Sequence, residues 1–318
     1  MVSLSVIVPC YRSSATLPAL VGRLLPVLDD TVDAYQVVLV VDGSPDDTAD
    51  TARALAARHP GVEAIELSRN YGQHNALLAG IRAARHELVV TMDDDLQHRP
   101  ETVPLLVGAL SPDLDLVYGT SVEEEHGFFR SAASRTVKRL MARGMKVASA
   151  KDISAFRVFR TELRDGLRGL EGPHLSIDVA LSWATTRIGS AEVPMDERTE
   201  GASNYSFRML VRHAANMILG YSTVPLRLVA YLGFLFGMFG VIMLGVVLVQ
   251  YFSGSTTVKG YTALASMIAI FSGAQMVAVG VLGEYLAQVH SRSMGKPAYV
   301  ISTRVRSEVV PSNQVSDG

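Results

Sequence analysis

The sequence predicts an α/β domain with a mainly parallel, twisted sheet covered by helices on both faces. An amphipathic interface helix and a two-helix transmembrane hairpin are predicted to follow it. Three observations carry this. Short β-branched apolar runs alternate with amphipathic stretches from residue 4 to residue 118. One of those runs ends abruptly in three adjacent acids, Asp93-Asp94-Asp95. Two stretches of the last third, each about 22 residues long, carry no charge.

The elements follow in chain order. Leu4 to Val8 is short, apolar and β-branched, so it reads as the first strand. Thr16 to Leu28 places Leu17, Leu20, Val21, Leu24 and Leu28 on one side of a helix. Tyr35 to Val41 is the second strand. Ser44-Pro45-Asp46-Asp47 resembles a helix start, with Ser at the N-cap, Pro at the first position and acids in the first turn. That helix is predicted to run to Arg58. Val62 to Leu67 is the third strand, Gly72 to Arg85 the third helix and Glu87 to Met92 the fourth strand. Glu101 to Leu110 reads as helix and Leu114 to Tyr118 as a fifth strand.

Leu228 to Val249 and Tyr261 to Leu282 are the two long apolar stretches. At 1.5 Å per residue each is roughly 33 Å long, enough for the hydrocarbon core of a bilayer. The alternative, two buried core helices, is disfavoured because soluble cores rarely need two such runs so close together. Ser206 to Tyr221 mixes Phe207, Leu210, Val211, Ala214 and Ile218 with Arg208, Arg212 and His213, the pattern of a helix lying on a membrane surface. Arg208, Arg212 and Arg227 precede the first span, and Arg292, Lys296, Arg304 and Arg306 follow the second. The connector Ser253 to Gly260 holds only Lys259. The positive-inside rule puts both flanks in the cytoplasm. The expected organisation is a cytoplasmic domain over 1–205, a juxtamembrane region over 206–226, the hairpin over 227–290 and a cytoplasmic tail over 291–318, disordered beyond Val309.

Composition narrows the classes. The chain has 318 residues and a formal net charge of −2, which gives no reason to expect a nucleic-acid partner. Its single cysteine, Cys10, excludes an intrachain disulfide and any multi-cysteine zinc site. The N-terminus has no basic flank and only a short apolar run, so it reads as a strand, not a signal peptide.

Candidate site residues gather at one edge of the predicted sheet. A buried strand cannot keep three unpaired anions inside, so the strand must end at Asp93 and release the acids at its C-terminal edge. Such oxygen ligands suit Mg²⁺ or Mn²⁺, which commonly use one or two carboxylates together with substrate phosphates. The plainer alternative is an acidic solvated turn. Pro9 and Tyr11 follow the first strand and Asp42 ends the second, although turn chemistry alone could explain Asp42-Gly43-Ser44. In open α/β sheets, ligands bind beyond the C-terminal strand ends. No Gly-x-Gly-x-x-Gly follows the first strand and no Gly-Lys-Ser/Thr phosphate loop occurs, which disfavours dinucleotide oxidoreductases and P-loop enzymes. A nucleotide held through a metal on its diphosphate is the reading left.

Four segments resemble the inverting family 2 glycosyltransferases of GT-A fold: residues 8–11 (Val-Pro-Cys-Tyr), 41–48 (Val-Asp-Gly-Ser-Pro-Asp-Asp-Thr), 67–80 (Leu-Ser-Arg-Asn-Tyr-Gly-Gln-His-Asn-Ala-Leu-Leu-Ala-Gly) and 93–100 (Asp-Asp-Asp-Leu-Gln-His-Arg-Pro). The resemblance is strongest to the polyprenyl-phosphate branch, which includes dolichol-phosphate mannose synthase, bactoprenol glucosyltransferases and the undecaprenyl-phosphate aminoarabinose-type transferases. It implies that Pro9, Tyr11 and Asp42 hold the nucleotide base and ribose. It also implies that Asp93, Asp95 and Gln97 ligate metal and diphosphate, and that Asp94 contacts the donor. Arg130 and Ser134 match an Arg-x-x-x-Ser that binds the acceptor phosphate, and a guanidinium fork suits phosphate oxygens. The plainer reading of the surrounding basic run, Arg130 to Lys146, is a solvated helix face. Asp152 heads an Asp-x-x-x-Phe-Arg match whose Asp is the expected catalytic carboxylate; alone it would read as a turn cap. Arg198 opens a match to Arg-x-x-Gly-x-Ser-Lys-Tyr and would contact the donor diphosphate. Two departures stand out: Arg12-Ser13 replaces the family's Asn-Glu, and Asn204 replaces its Lys. His74 and His98 lie near these motifs without metal spacing and read as structural or solvent-facing.

The resemblance thus implies an inverting, metal-dependent transfer of a sugar from a nucleotide-sugar, a UDP-sugar by preference, to a polyprenyl phosphate at the cytoplasmic face of the membrane. Homo-oligomerisation is left open. A processive polysaccharide synthase is the alternative enzyme; it would carry Gln-x-x-Arg-Trp and more spans, whereas the only tryptophan here is Trp183 in Leu-Ser-Trp-Ala. A non-catalytic membrane-anchored partner is the remaining alternative, and the intact Asp93, Asp95, Gln97, Arg130 and Arg198 argue against it.

Overall fold

The computed structural model describes residues 2–121, 153–169, 176–196, 224–253 and 260–306. The chain divides into two units, Met1–Asn204 with Lys296–Gly318, and Tyr205–Gly295.

In the first unit the alternation expected from the sequence is present. Strand β1 (Ser3–Cys10) is followed by α1 (Leu17–Thr31), β2 (Ala34–Val41), α2 (Thr48–Arg58), β3 (Val62–Leu67), α3 (Gln73–Ala83) and β4 (Leu88–Thr91). A 3-10 turn at Pro100–Thr102 then leads into the short α4 (Val103–Gly108) and β5 (Leu116–Ser121). After it come β6 (Arg157–Arg160), a 3-10 stretch at Thr161–Leu167, α5 (Ile177–Ala184), β7 (Ile188–Val193) and, late in the chain, β8 (Ile301–Arg306).

The described strands form one sheet in the order β7-β5-β6-β4-β1-β2-β3-β8. The central block β3-β2-β1-β4 is parallel, whereas β6 runs antiparallel to both β4 and β5, and β8 antiparallel to β3. The period of two in the strands sends side chains to opposite faces. Leu4, Val6 and Val8 join Leu17, Leu20, Val21, Leu24 and Leu28 of α1 on one side, all of them buried. Ile7, Val38, Val40 and Ile65 join Ala76, Leu77, Leu78 and Ile81 of α3 on the other. Two helical layers therefore cover the central block, and strand β1 is buried from Leu4 to Cys10.

Several elements differ from the sequence expectation. Helix α2 begins at Thr48, not at Ser44. The Ser44 hydroxyl accepts from the Arg12 amide at 2.8 Å, and Asp46 instead accepts from Thr48 Oγ1 at 2.6 Å, so a contact with the β1 loop displaces the helix start. The expected fifth strand is present as β5, and β6, which the sequence did not announce, lies between it and β4. The segment 291–318, expected as a tail, contributes β8 to the sheet. There the carboxylate of Glu63, 1% exposed, accepts from Arg304 Nε, from Arg85 at 3.0 Å and from Gln36 Nε2 at 2.9 Å. A buried carboxylate is tolerated only when paired in this way. The residues beyond Arg306 lie outside the described part of the chain.

The second unit holds α6 (Val224–Phe252) and α7 (Tyr261–Ser293). Both contain segments long and apolar enough to cross a membrane, Pro225–Val246 and Ile270–Ala287. Phe271 of α7 packs edge-on against Phe236 of α6 at 5.5 Å between ring centroids. Tyr231, Phe234, Val241, Met276 and Val277 are exposed, as suits helices whose solvent is lipid. The expected interface helix, Ser206 to Tyr221, and most of the connector lie outside the described residues.

Candidate active site

The order β3-β2-β1-β4 reverses direction between β1 and β4, which is the topological switch point where α/β sheets leave a crevice at their C-terminal edge. Three strand ends meet there. Pro9 is buried within β1, in register with Val40 of β2, and Tyr11 just beyond is 45% exposed. The Arg12 guanidinium lies 5.6 Å from the Tyr11 ring centroid. Arg12 and Leu96, one on each side of the crevice, both hold left-handed backbone, at φ 58° and 61°. That conformation is uncommon outside glycine and marks loops over-determined by their surroundings.

Asp42 is buried at the end of β2, and its two carboxylate oxygens accept from the backbone N–H of Tyr71 at 2.7 Å and of Gly72 at 2.8 Å. Burial pushes its pKa up, while those two amide bonds hold it down. Asp42 thus anchors the loop before α3. Gly43 lets that loop approach, since it adopts φ +55° and a Cβ there would lie 2.2 Å from the Arg69 carbonyl carbon.

The three acids divide their contacts. Asp94 turns toward the β1 loop and accepts from the Ser13 hydroxyl and from the Tyr11 amide at 3.3 Å. Ser13, buried, also donates its N–H to Thr48 Oγ1 at 2.8 Å. The position where the family often carries Glu therefore serves here as a neutral partner for Asp94. Asp93 accepts from Gln73 Nε2 at 2.7 Å. Its pKa is pushed up to about 6 by burial and then by the charges of Asp95 and Asp94, with Arg157 and the Gln73 bond acting the other way. Asp95 accepts from the Gln97 amide at 3.2 Å, and the Gln97 carbonyl accepts from Asp196 N at 2.9 Å.

Behind the acids sits Arg157, 1% exposed. It donates Nε to Thr91 Oγ1 at 2.9 Å and pairs with Asp178, which also accepts from Tyr118 Oη at 3.2 Å. His98 is buried, stacked on Phe156 at 5.1 Å, and burial lowers its pKa toward the neutral form. His74 Nδ1 accepts from the Ile177 amide at 3.4 Å, a structural contact.

Among the described residues, no three His, Cys, Asp or Glu side chains form a closed metal cage. An open site needs less: Mg²⁺ typically takes one or two carboxylates and completes its shell with water and substrate phosphates. Asp93 and Asp95 offer that donor set, and their mutual repulsion is what a divalent cation would relieve. The structure thus brings Pro9, Tyr11, Asp42, Asp93, Asp94, Asp95 and Gln97 to one edge. Arg130, Ser134, Asp152 and Arg198 lie outside the described residues. Gln73 and Arg157 also contact the site, though the sequence marks neither as a site residue. Gln73 and Arg157 sit inside recognised motifs, but only their three-dimensional partners reveal what they touch.

A mainly parallel sheet with acids released at its switch point places a ligand site at the C-terminal strand ends of an α/β domain. Residues 5–166 match the family described as glycosyl transferase family 2, and the chain belongs to that family. It is 30% identical over 316 residues to undecaprenyl-phosphate 4-deoxy-4-formamido-L-arabinose transferase of Shewanella sediminis, covering 98% of this chain and 96% of the relative. The enzyme of the same name from Sodalis glossinidius is 31% identical over 314 residues, with the same coverage. Among solved structures, glucosyl-3-phosphoglycerate synthase from Mycobacterium tuberculosis, in complex with Mn²⁺, UDP and phosphoglyceric acid, superposes with a TM-score of 0.52 at 20% identity, covering 69% of this chain and 76% of that one. That likeness establishes the GT-A fold. The protein is a glycosyltransferase.

Proposed function

We propose that the protein transfers a sugar from a nucleotide-sugar, UDP-linked by preference, to a polyprenyl phosphate at the cytoplasmic face of the membrane, with inversion at the anomeric carbon. The observation that carries this is the near full-length match to undecaprenyl-phosphate transferases, which extends through both apolar helices. The catalytic domain and both termini would lie in the cytoplasm, with the two helices as a hairpin. Chain connectivity supports that topology independently of the Arg/Lys count. Strand β8 follows the second apolar helix yet pairs with β3 of the first unit, which agrees with a hairpin whose two ends lie on one side.

In this reading Pro9, Tyr11 and Asp42 border the base and ribose, Asp42 through the loop it anchors. Asp93, Asp95 and Gln97 would hold Mg²⁺ or Mn²⁺, which when bound offsets the charge that grows on the leaving diphosphate. Arg198 would steady the same diphosphate. Arg130 and Ser134 would hold the acceptor phosphate opposite the leaving group. A phosphate monoester has a second pKa of about 6, so at neutral pH the attacking oxygen is largely ionised already. Asp152 is then needed to orient the acceptor and to take up a residual proton more than to act as a strong base. The test is a panel of nucleotide-sugars with a polyprenyl phosphate in detergent, following lipid-linked product. A single transferred sugar is expected. Absence of product from every donor, or growth of a polymer, would overturn the reading.

A further inference from the structure

The Arg-Asn-Tyr-Gly-Gln-His run, residues 69–74, is among the most distinctive stretches of the sequence, yet the function proposed above uses none of its side chains. The structure shows where one of them goes. Gln73 is the first residue of α3, and its Nε2 donates to Asp93 Oδ1 at 2.7 Å across the crevice edge. The start of α3 does not depend on that bond. It is set by Asp42, which accepts from Tyr71 and Gly72, and by Gly72 at φ +91°. Gln73 is itself exposed, so its own burial contributes little to stability. What the bond does is fix the direction of one carboxylate.

We propose that Gln73 is a positioning residue that orients Asp93 for a divalent cation. The chemistry of the amide suits this task. A carboxylate that ligates a cation must keep its charge and present one oxygen in a fixed direction, and partners that orient ligating groups in this way tune metal affinity. A neutral N–H donor occupies one lone pair of Oδ1 and leaves Oδ2 and the net charge available. Lys or Arg in the same place would orient the group but cancel the charge. The route from β2 to β4 is then continuous: Asp42 holds Gly72, Gly72 places Gln73, and Gln73 aims Asp93. The loop bordering the nucleotide and the acid that binds metal are set by one short segment.

This inference rests on the metal-binding reading of Asp93 and Asp95. The test uses full-length protein in detergent with UDP present and measures Mn²⁺ binding by the loss of the free-ion electron paramagnetic resonance signal. Gln73→Met keeps the length and removes the donor. It is expected to raise the Mn²⁺ dissociation constant about tenfold, the low end for an orienting partner because the contact is exposed. Saturating Mn²⁺ should restore kcat, and the melting temperature should not move. Gln73→Lys keeps a donor but adds a charge, and should weaken Mn²⁺ at least as much. Wild-type affinity in both variants would overturn the assignment. If the wild-type protein binds no Mn²⁺ while UDP binding persists, the metal reading itself fails and the assignment with it.

Discussion

Replacing Gly43 by alanine should do more damage than its size suggests. The added Cβ would lie 2.2 Å from the Arg69 carbonyl carbon, 2.4 Å from Asn70 N and 2.6 Å from Arg69 Cα, all of them backbone atoms. No side-chain rotation can relieve that contact, so the Arg69–Gly72 loop must move away from β2. Moving it breaks the two bonds from Tyr71 and Gly72 to the buried Asp42 carboxylate. Hydrogen bonds to a charged group contribute about 1.5–3 kcal/mol each, so their joint loss costs at least about 3 kcal/mol. The left-handed conformation of position 43 adds roughly 1 kcal/mol for a residue with a Cβ. For a domain of this size, 1 kcal/mol corresponds to roughly 2–4 °C in melting temperature, so a drop of about 8 °C or more is expected. Gly72→Ala is the comparison: at φ 91° and ψ 151° its backbone is open almost only to glycine, which costs about 1–3 kcal/mol for a residue with a Cβ, but a Cβ there meets nothing within 4 Å. The assay is thermal unfolding of both variants in detergent, with UDP binding by calorimetry alongside. Equal melting temperatures for the two variants would refute the close-approach argument.

Transfer should require a divalent cation, and Asp95→Asn should lower it by orders of magnitude with the fold retained by circular dichroism; full activity in excess chelator would contradict this. Arg130→Ala should raise the KM for polyprenyl phosphate roughly ten- to a hundredfold and spare UDP binding, whereas Arg198→Ala should weaken UDP binding by a similar factor. Calorimetry with metal present decides between them, and equal losses would place both arginines in the donor pocket. Arg304→Met should destabilise the first unit by about 1.5–3 kcal/mol, because it removes a charged partner from buried Glu63 while Arg85 and Gln36 remain; a chemical unfolding curve matching wild type would count against the role of β8. For topology, cysteines introduced at Ser255 and Ser312 should label from outside and inside respectively, with native Cys10 buried and silent; the reverse pattern would refute the hairpin orientation.

Much of the protein is legible in local pattern. The short apolar β-branched runs at residues 4–8 and 35–41, the helical spacing of Leu17, Leu20, Val21, Leu24 and Leu28, and the length of the two apolar runs each depend on neighbours within a few turns. So does the arrival of Asp42 and Asp93 to Asp95 at strand ends, since a buried strand cannot hold such charges unpaired. What local pattern does not encode is the choice of distant partners. Strand β6 enters antiparallel between β4 and β5, and β8 returns from beyond the second apolar helix, with Arg304 reaching Glu63 across 241 residues. Arg157 closes the Asp-x-x-x-Phe-Arg match, and nothing local shows that it is buried; its partners Asp178 and Thr91 come from other elements. The three acids are indistinguishable as Asp-Asp-Asp. Tertiary structure gives Asp94 to Ser13, Asp93 to Gln73 and Asp95 to the turn that follows, because a carboxylate takes its role from the donors that converge on it, and those donors come from three different strand ends.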